Sequence, residues 1–142
     1  MASIHTYSVQ FRISGKDLDP HGVTRRLGLE PCQIRIAGEK RSQTALWEES
    51  LWAFDGVPEA NVSPIEWSSL EEGLSAVLES LLPKKKLILA YAASFDVIWW
   101  CGHFQTSFDG GPTLSVQLLR DLAAFGAPLY LDNYFVNDDS KE

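Results

Sequence analysis

The stretch Leu18–Pro31, LDPHGVTRRLGLEP, specifies how one short helix begins and ends. Asp19 is a good N-cap, and Pro20 suits the first helical position because a helix does not need the N–H that proline lacks there. Gly28 suits the left-handed residue that closes a helix, and the proline three residues later prevents its continuation. The stretch therefore predicts a two-turn helix over Pro20–Leu27.

Alternating or aromatic segments flank this helix. The segment His5–Ile13 alternates apolar and polar residues, which predicts a strand with one face on a core and the other face, including Arg12, in water. After the helix, Glu30–Ile36 is a candidate short strand. The aromatic segment Ala45–Phe54 is another strand candidate, with a break expected at Glu48-Glu49 because two acids interrupt its alternation.

The middle of the chain predicts a helix followed by two strands. Ser68 and Glu71 have the spacing of a capping box, and leucines at helical spacing follow them, so we expect a helix over Ser68–Leu82 that ends at the next proline. The apolar segments Leu87–Ala93 and Phe95–Phe104 are predicted to be two strands joined by a tight turn. The second of these is apolar on both faces, which is typical of a central strand covered on both sides.

The C-terminal part repeats the signals of the first helix. Ser115 is a candidate N-cap and Gly126 a candidate closing residue, which predicts a helix over Val116–Phe125. A last strand is expected over Leu129–Val136. Residues 137–142 form a polar tail that is expected to fray.

The predicted order of elements is therefore β-α-β-β-α-β-β-α-β. Strand–helix–strand units at both ends indicate an α+β protein, a variant of the ferredoxin-like sandwich with an added helix. We expect a mixed, mostly antiparallel sheet with about three helices packed on one side. Residues 1–142 are expected to form a single domain.

Composition limits the class of protein. A chain of 142 residues with 45% hydrophobic and 11% aromatic content has enough apolar surface for one packed core. No apolar run approaches the ~20 residues of a membrane span, and the first residues lack the pattern of a secretory signal. With only Cys32 and Cys101, a disulfide framework is not expected, so we predict a cytoplasmic protein.

The net charge of −7 is distributed unevenly along the chain. Residues 1–46 carry a net charge of +3, and the remainder carries −10. The acidic whole disfavours a general nucleic-acid-binding protein, because neutralising phosphates requires a basic face. It suits contact with a basic partner protein, although the simpler interpretation is that the acidity keeps the protein soluble.

The first candidate site consists of cations beside aromatic residues. It comprises Arg35, Lys40 and Arg41, with Trp47 and Trp52. A guanidinium group can bind a carboxylate or phosphate through two hydrogen bonds, and an aromatic wall can shelter the ligand. The alternative is a solvated loop beside two tryptophans of the core.

The second candidate site consists of residues with acid–base chemistry. Asp132 and Tyr134 share one face of the last predicted strand, and His103 ends the strand before it. They are candidates for a catalytic site, but a structural hydrogen bond explains an aspartate on such a strand equally well. The histidines and cysteines lack the spacing of metal ligands, so we predict neither a metal nor a cofactor.

Several short motifs together resemble a known family. They are F-x-I-S-G-K-D-L-D-P (Phe11–Pro20), L-G-L-E-P (Leu27–Pro31) and L-x-L-D-N-Y (Leu129–Tyr134). In this order and spacing, over nearly the whole chain, they resemble the bacterial family of domains of unknown function numbered 4279. The resemblance implies a single α+β domain and brings no established activity.

Three hypotheses about function follow. The first is a non-enzymatic module that binds a basic protein, for example an immunity-type inhibitor of a basic toxin. The second is a domain that binds a small molecule or anion with the loop of Arg35, Lys40 and Arg41. The third is an enzyme with a dispersed site around Asp132 and His103, which we consider weaker because no catalytic motif is present. Exposed tryptophans would also suit a homo-oligomer.

Overall fold

The strand predicted at the N-terminus lies in the middle of a five-stranded sheet in the computed structural model, which describes residues 4–56 and 66–136. The elements, in chain order, are β1 (His5–Gly15), α1 (Pro20–Leu27), β2 (Gln33–Arg35), β3 (Ser50–Phe54), α2 (Leu70–Leu81), a 3₁₀ turn (Leu82–Lys84), α3 (Lys85–Ala92), β4 (Asp96–Gln105), α4 (Val116–Ala123) and β5 (Leu129–Phe135). Residues 137–142, which we expected to fray, lie outside the described part of the chain.

The sheet is mixed and mostly antiparallel, as predicted. Its strand order is β2-β3-β1-β4-β5. Strand β1 pairs antiparallel with β3 and β4, and β2 pairs antiparallel with β3, whereas β5 runs parallel to β4. The two edge strands are therefore β2 and β5, and the β4–β5 pair is connected through α4.

The helices pack on one face of this sheet and form a single core with it. From the strands, the core takes Tyr7, Val9, Phe11, Ile13, Trp52, Phe54, Val97, Trp99 and Cys101, all of which are buried. All four helices contribute side chains to the same cluster, from Val23 in α1 to Leu122 in α4. Because side chains of a strand alternate between faces, every second residue of each strand points away from the helices.

The helix ends follow local signals with two differences in detail. Gly28 closes α1 at φ 67°, and its N–H donates to the Thr24 carbonyl. Asp19 occupies the N-cap of α1, but its side chain makes no capping hydrogen bond and lies 3.5 Å from the Arg25 guanidinium instead. The cap of α2 is Ser69, which accepts from the Glu72 N–H, so the capping box begins one residue later than predicted.

The prediction of a strand over Leu87–Ala93 is wrong, because this segment is helical. Pro83 does not end the helical region: it lies in the first turn of the 3₁₀ segment, where the missing N–H is not needed, and α3 follows directly. Ile88 of α3 is buried, while Leu87 and Tyr91 pack beside it at helical spacing. Because a short apolar run fits a buried strand as well as a helix, its period alone did not distinguish them.

Strand β4 is central, but it is not covered on both sides by described elements. Its core face carries Val97, Trp99 and Cys101, which are buried. Ile98, Trp100 and Phe104 point to the other face and are half-buried. No described helix packs on that second face, which we call the open face.

Candidate anion-binding site

The open face holds a cleft of about 520 Å³. Its walls come from strand residues whose side chains point away from the core and from the loop between β2 and β3. The lining residues are Arg12, Ser14, Arg35, Arg41, Trp47, Glu48, Glu49, Ser50, Leu51, Ile98, Trp100 and Tyr130. Three cations and three large aromatic side chains thus surround one opening. Leu51 and Ile98 supply apolar surface within it.

Arg12 is held in place by two contacts on the open face. Its Nε donates to Gln10 Oε1 at 2.8 Å. Gln10 precedes Arg12 by two positions on the same strand. Its guanidinium carbon lies 4.3 Å from the ring centroid of Trp100 on β4. Such a cation–π contact favours Arg because the planar guanidinium stacks on the ring and keeps its N–H groups in plane.

Arg35 is held by the same kind of contacts two strands away. Its guanidinium carbon lies 4.2 Å from the Trp47 ring centroid. With the Gln33 amide oriented so that its oxygen faces the guanidinium, Arg35 donates to Oε1 from Nε and Nη2, each at 3.0 Å. Gln33 again precedes the arginine by two positions, so each arginine is oriented by a glutamine of its own strand and by an indole.

The loop between β2 and β3 brings Arg41 and Trp47 over the cleft. The Trp47 N–H donates to the Glu39 carbonyl and the Gly38 N–H to the Trp47 carbonyl, with Gly38 at φ 90°. This φ favours glycine, because a side chain would be strained there. The folded loop places the Arg41 guanidinium carbon 5.2 Å from the Trp47 ring centroid.

The three arginines of the cleft lack carboxylate partners among the described residues. Within the described part of the chain, the ion pair found within 4.0 Å joins Arg25 of α1 to Asp19 at the N-cap of that helix. Glu48 and Glu49 line the cleft, but they are exposed and do not approach the guanidinium groups within that distance. The arginines therefore keep N–H donors for a ligand.

The surroundings of Arg12 disfavour the positive charge of its guanidinium group. Burial lowers the pKa of Arg12, and the nearby positive charge of Arg35 lowers this pKa further. Asp132 and Tyr134 act in the opposite direction but more weakly. Although Arg12 stays charged at neutral pH, the sign of the shift means that an added negative charge near Arg12 and Arg35 would be stabilising.

Three of the five cationic and aromatic residues that the sequence predicted to form a site lie together in the structure. Arg35, Arg41 and Trp47 line the cleft together. Lys40 lies on the same loop but is exposed and does not line the cleft. Trp52 points to the helix-covered face, where it is fully buried and its Nε1 donates to Thr24 Oγ1 at 3.0 Å. Trp52 is thus a core residue and does not belong to this cleft.

Sequence reasoning missed Arg12, Trp100 and Tyr130 as members of the cleft. Arg12 was correctly predicted to lie on the wet face of β1, but nothing local connects it with Arg35. One usable signal was present, namely the repetition of Gln-x-Arg at residues 10–12 and 33–35. Trp100 was expected to lie under a second covering layer, whereas the guanidinium of Arg12 covers its ring.

The structure separates His103 from Asp132 and Tyr134, the other residues of the proposed catalytic site. His103 pairs in register with Asn133 and points to the core face, where it is buried. Asp132 pairs with Gly102 and points to the open face, where its Oδ2 accepts a hydrogen bond from the Tyr134 hydroxyl. This bond raises the pKa of Tyr134. His103 and Asp132 cannot act together on one substrate from opposite faces of a sheet.

His103 belongs instead to a chain of hydrogen bonds that links β1, β4 and β5. Its Nε2 lies 2.9 Å from His5 Nδ1, and its Nδ1 lies 2.8 Å from Asn133 Oδ1. The other nitrogen of His5 bonds to the carbonyl of Asp109, in the loop after β4. The Tyr7 ring stacks on His103 at a centroid distance of 4.6 Å. These contacts account for a buried histidine at this end of the sheet without a ligand.

Other chemical groups of the described residues do not add to the cleft. Cys101 is buried in the core, and burial raises the pKa of its thiol to about 12. Within residues 4–56 and 66–136, no three His, Cys, Asp or Glu side chains are grouped closely enough to hold a metal ion. In the same ranges, no helix has the length and apolar character needed to cross a membrane.

Comparison with known proteins identifies a family for this chain. A family model described as "Domain of unknown function (DUF4279)" matches residues 5–136, which is nearly the whole chain. The matched range includes the described strands and helices and the complete cleft of the open face. No curated protein and no solved structure matches significantly.

Proposed function

Since the chain belongs to the DUF4279 family, whose description names no activity, we propose from its geometry that it is a binding domain for a small anionic molecule. The ligand would occupy the cleft of the open face. The observation that carries this proposal is the convergence of Arg12, Arg35 and Arg41 on one cleft, with no carboxylate of residues 4–56 or 66–136 within 4.0 Å of them.

The side chains of Arg12 and Arg35 are preorganised for anion binding. Side chains of arginine normally lose rotamer freedom on binding, which costs on the order of 0.5–1.5 kcal/mol for each side chain immobilised. Contacts with Gln10 and Trp100 for Arg12, and with Gln33 and Trp47 for Arg35, already restrict them. Part of this entropic cost is therefore met in the folded protein, and the ligand gains affinity.

The remaining lining suits an organic body more than a bare inorganic ion. Trp47, Trp100 and Tyr130 provide aromatic surface around the cations, and Leu51 and Ile98 provide apolar surface between them. Ligand sites of this kind combine apolar lining with a few polar groups that fix orientation. We therefore expect a molecule that carries an acidic group on an apolar or planar frame.

Binding can be tested by NMR titration of the tryptophan indole N–H signals with inorganic phosphate, benzoate and phenyl phosphate. The signals of Trp47 and Trp100 should shift with added anion. Those of Trp52 and Trp99 should remain unchanged, because both indoles are buried and hydrogen-bonded in the core. Uniform small shifts of all five indole signals, including that of Trp67, would indicate a general salt effect and contradict the proposal.

Matched variants make the test specific to the cleft. Arg35→Gln and Arg12→Gln should weaken binding of the best anion by about tenfold or more, since a charge-assisted hydrogen bond contributes about 1.5–3 kcal/mol. Lys40→Gln removes an equal charge from the loop that follows β2, at a residue outside the cleft, and should change affinity less than twofold. Equal losses in Arg35→Gln and Lys40→Gln would contradict a built site.

A second candidate function is a module that binds a basic partner protein, including an inhibitor of a basic toxin. It is favoured by exposed aromatic side chains at the β5 edge, among them Phe108, Tyr130 and Phe135, together with the net charge of −7. Affinity capture at low and high salt tests it. A stoichiometric basic protein, lost at high salt and lost in a Phe108→Ser/Phe135→Ser variant, would support this function, and equal capture by that variant would contradict it.

A further inference from the structure

The cleft contains the same three-residue receptor twice. In Gln10–Phe11–Arg12 and Gln33–Ile34–Arg35, the middle residue packs in the core and the outer two lie on the open face. In both, the glutamine oxygen accepts from the guanidinium of the arginine two residues later. In both, that guanidinium also lies about 4 Å over an indole, 4.3 Å for Trp100 and 4.2 Å for Trp47.

The sheet register sets the distance between the two receptors. Ala53 of β3 pairs with Arg12 on one side and with Gln33 on the other, whereas Arg35 pairs with Leu51. The two arginines are thus two strands and two residues apart. With strand spacings of ~4.8 Å and a rise of ~3.3 Å per residue, their Cα atoms are separated by about 12 Å. Because the two guanidinium groups are held on different indoles, Trp100 and Trp47, each can take an acidic group of its own.

Each receptor keeps donors for its own acidic group. Arg12 uses Nε for Gln10, so both terminal nitrogens remain for a ligand. Arg35 uses Nε and one N–H of Nη2 for Gln33, so its Nη1 remains. Carboxylates and phosphates accept such in-plane pairs of N–H groups. Arg41, which shares the Trp47 ring, adds charge to the second receptor.

The surface between the receptors is suited to the frame of the ligand. Leu51 pairs in register with both Arg35 and Ser14, and it lines the cleft between the two cations. We infer that the cleft binds a molecule with two separated acidic groups on an apolar spacer, one group at each Gln-x-Arg receptor. This inference rests on the proposed function and narrows its ligand to an organic dianion.

The test compares dianions with their half-esters. Terephthalate and the straight-chain dicarboxylates from succinate to suberate are each titrated beside their own monomethyl ester, by calorimetry and by the indole signals of Trp47 and Trp100. The ester keeps the frame and removes one charge. At least one dicarboxylate should bind tenfold or more tightly than its ester, with both indole signals shifted together.

Variants assign the two charges to the two receptors. Arg12→Gln and Arg35→Gln should each reduce the preference for the dicarboxylate over its ester to less than about threefold, while the ester loses affinity as the single anions do but still binds at the intact receptor. Arg35→Lys keeps the charge without the planar guanidinium and should recover part of the preference. Unchanged signals of Trp52 and Trp99 in each variant establish that its core is intact.

The outcomes separate this inference from the function on which it rests. If every dicarboxylate and its ester bind equally, the protein binds anions and the two-receptor inference is overturned. The same holds if one arginine variant abolishes the binding of esters and dicarboxylates while the other changes neither. If no dicarboxylate, no ester and none of the three anions tested above binds, the proposed function falls together with the inference.

Discussion

The two faces of this sheet are built from the same strands but differ in what their side chains contact. On the covered face, Trp99 is fully buried and its Nε1 donates to the Leu122 carbonyl at 3.2 Å. On the open face, the next residue, Trp100, is half-buried and its ring is covered by a guanidinium. One indole therefore fills the core, and the other orients a cation that has no carboxylate partner among the residues that the structure describes.

The largest expected effect comes from comparing these two neighbours in the chain. Trp99→Ala should lower the free energy of unfolding by about 3–5 kcal/mol, because it removes a large core side chain and leaves a cavity. Trp100→Ala should lower it by about 1 kcal/mol or less, because only a cation–π contact and a partly exposed ring are lost. Urea denaturation measures both. Equal losses would break the distinction between the two faces.

A hydrogen bond on the covered face gives the next effect. Trp52 Nε1 donates to Thr24 Oγ1, which fixes the indole between β3 and α1. Thr24→Val keeps the shape but leaves this buried donor unpaired, so it should cost about 1–3 kcal/mol of unfolding free energy. Thr24→Ser keeps the hydroxyl and should cost clearly less. If the two variants are equally destabilised, the hydroxyl does not hold Trp52.

The pH dependence of stability provides a third comparison on the covered face. Burial raises the pKa of Cys101 from an ordinary value of 9.0 to about 12. A raised folded-state pKa contributes stability that is fully present below pH 9 and is lost as the pH rises toward 12, because only the unfolded chain releases the proton. At ~1.4 kcal/mol per pH unit, the wild type should lose about 1.4 kcal/mol from this thiol by pH 10.

Cys101→Ala isolates this contribution. The variant loses packing at every pH, but its stability should fall less steeply than that of the wild type between pH 9 and 10.5. Denaturation at pH 8, 9, 9.5, 10 and 10.5 measures both slopes. Parallel curves would mean that the thiol ionises in the folded protein as it does in the unfolded chain, and that the core around Cys101 is open to water.

The smallest expected effect on stability lies on the open face. Gln33→Leu removes the acceptor for Arg35 and should change the free energy of unfolding by about 0.5 kcal/mol or less, as for most surface changes. It should nevertheless weaken the tightest dicarboxylate by about twofold to fivefold, because Arg35 loses its fixed orientation. Gln117→Leu, on the surface of α4, is the control and should alter neither quantity. Unchanged affinity in Gln33→Leu would show that the glutamine does not prepare the arginine.

Much of the fold could be predicted because its signals are local. The α1 helix lies over the predicted residues, and its closing glycine has the left-handed conformation that the sequence required. The alternation of His5–Ile13 correctly assigned its apolar residues to the core. The segment Leu87–Ala93 was wrongly predicted to be a strand because a short apolar run is compatible with both periods, and its continuity with the 3₁₀ turn after α2 and its packing beside β4 decide in favour of the helix.

The candidate site could be predicted only in part. Arg35, Arg41 and Trp47 lie within thirteen residues of one another, so their association was visible in the sequence. Trp52 was grouped with them, but it directly follows Leu51, which faces the cleft, so the alternation of the strand places Trp52 in the core. Arg12 and Trp100 are 88 residues apart and meet only because β1 and β4 pair.

By itself, then, the sequence determined where α1, α2 and α4 form, which side of β1 faces the core and that two Gln-x-Arg segments exist. Caps, closing glycines and alternation act between residues a few positions apart, so they can be read without a fold. Only the tertiary structure decided that these two segments share a cleft, because strand order and register depend on pairing between distant segments. The same pairing placed His103 and Asp132 on opposite faces of the sheet.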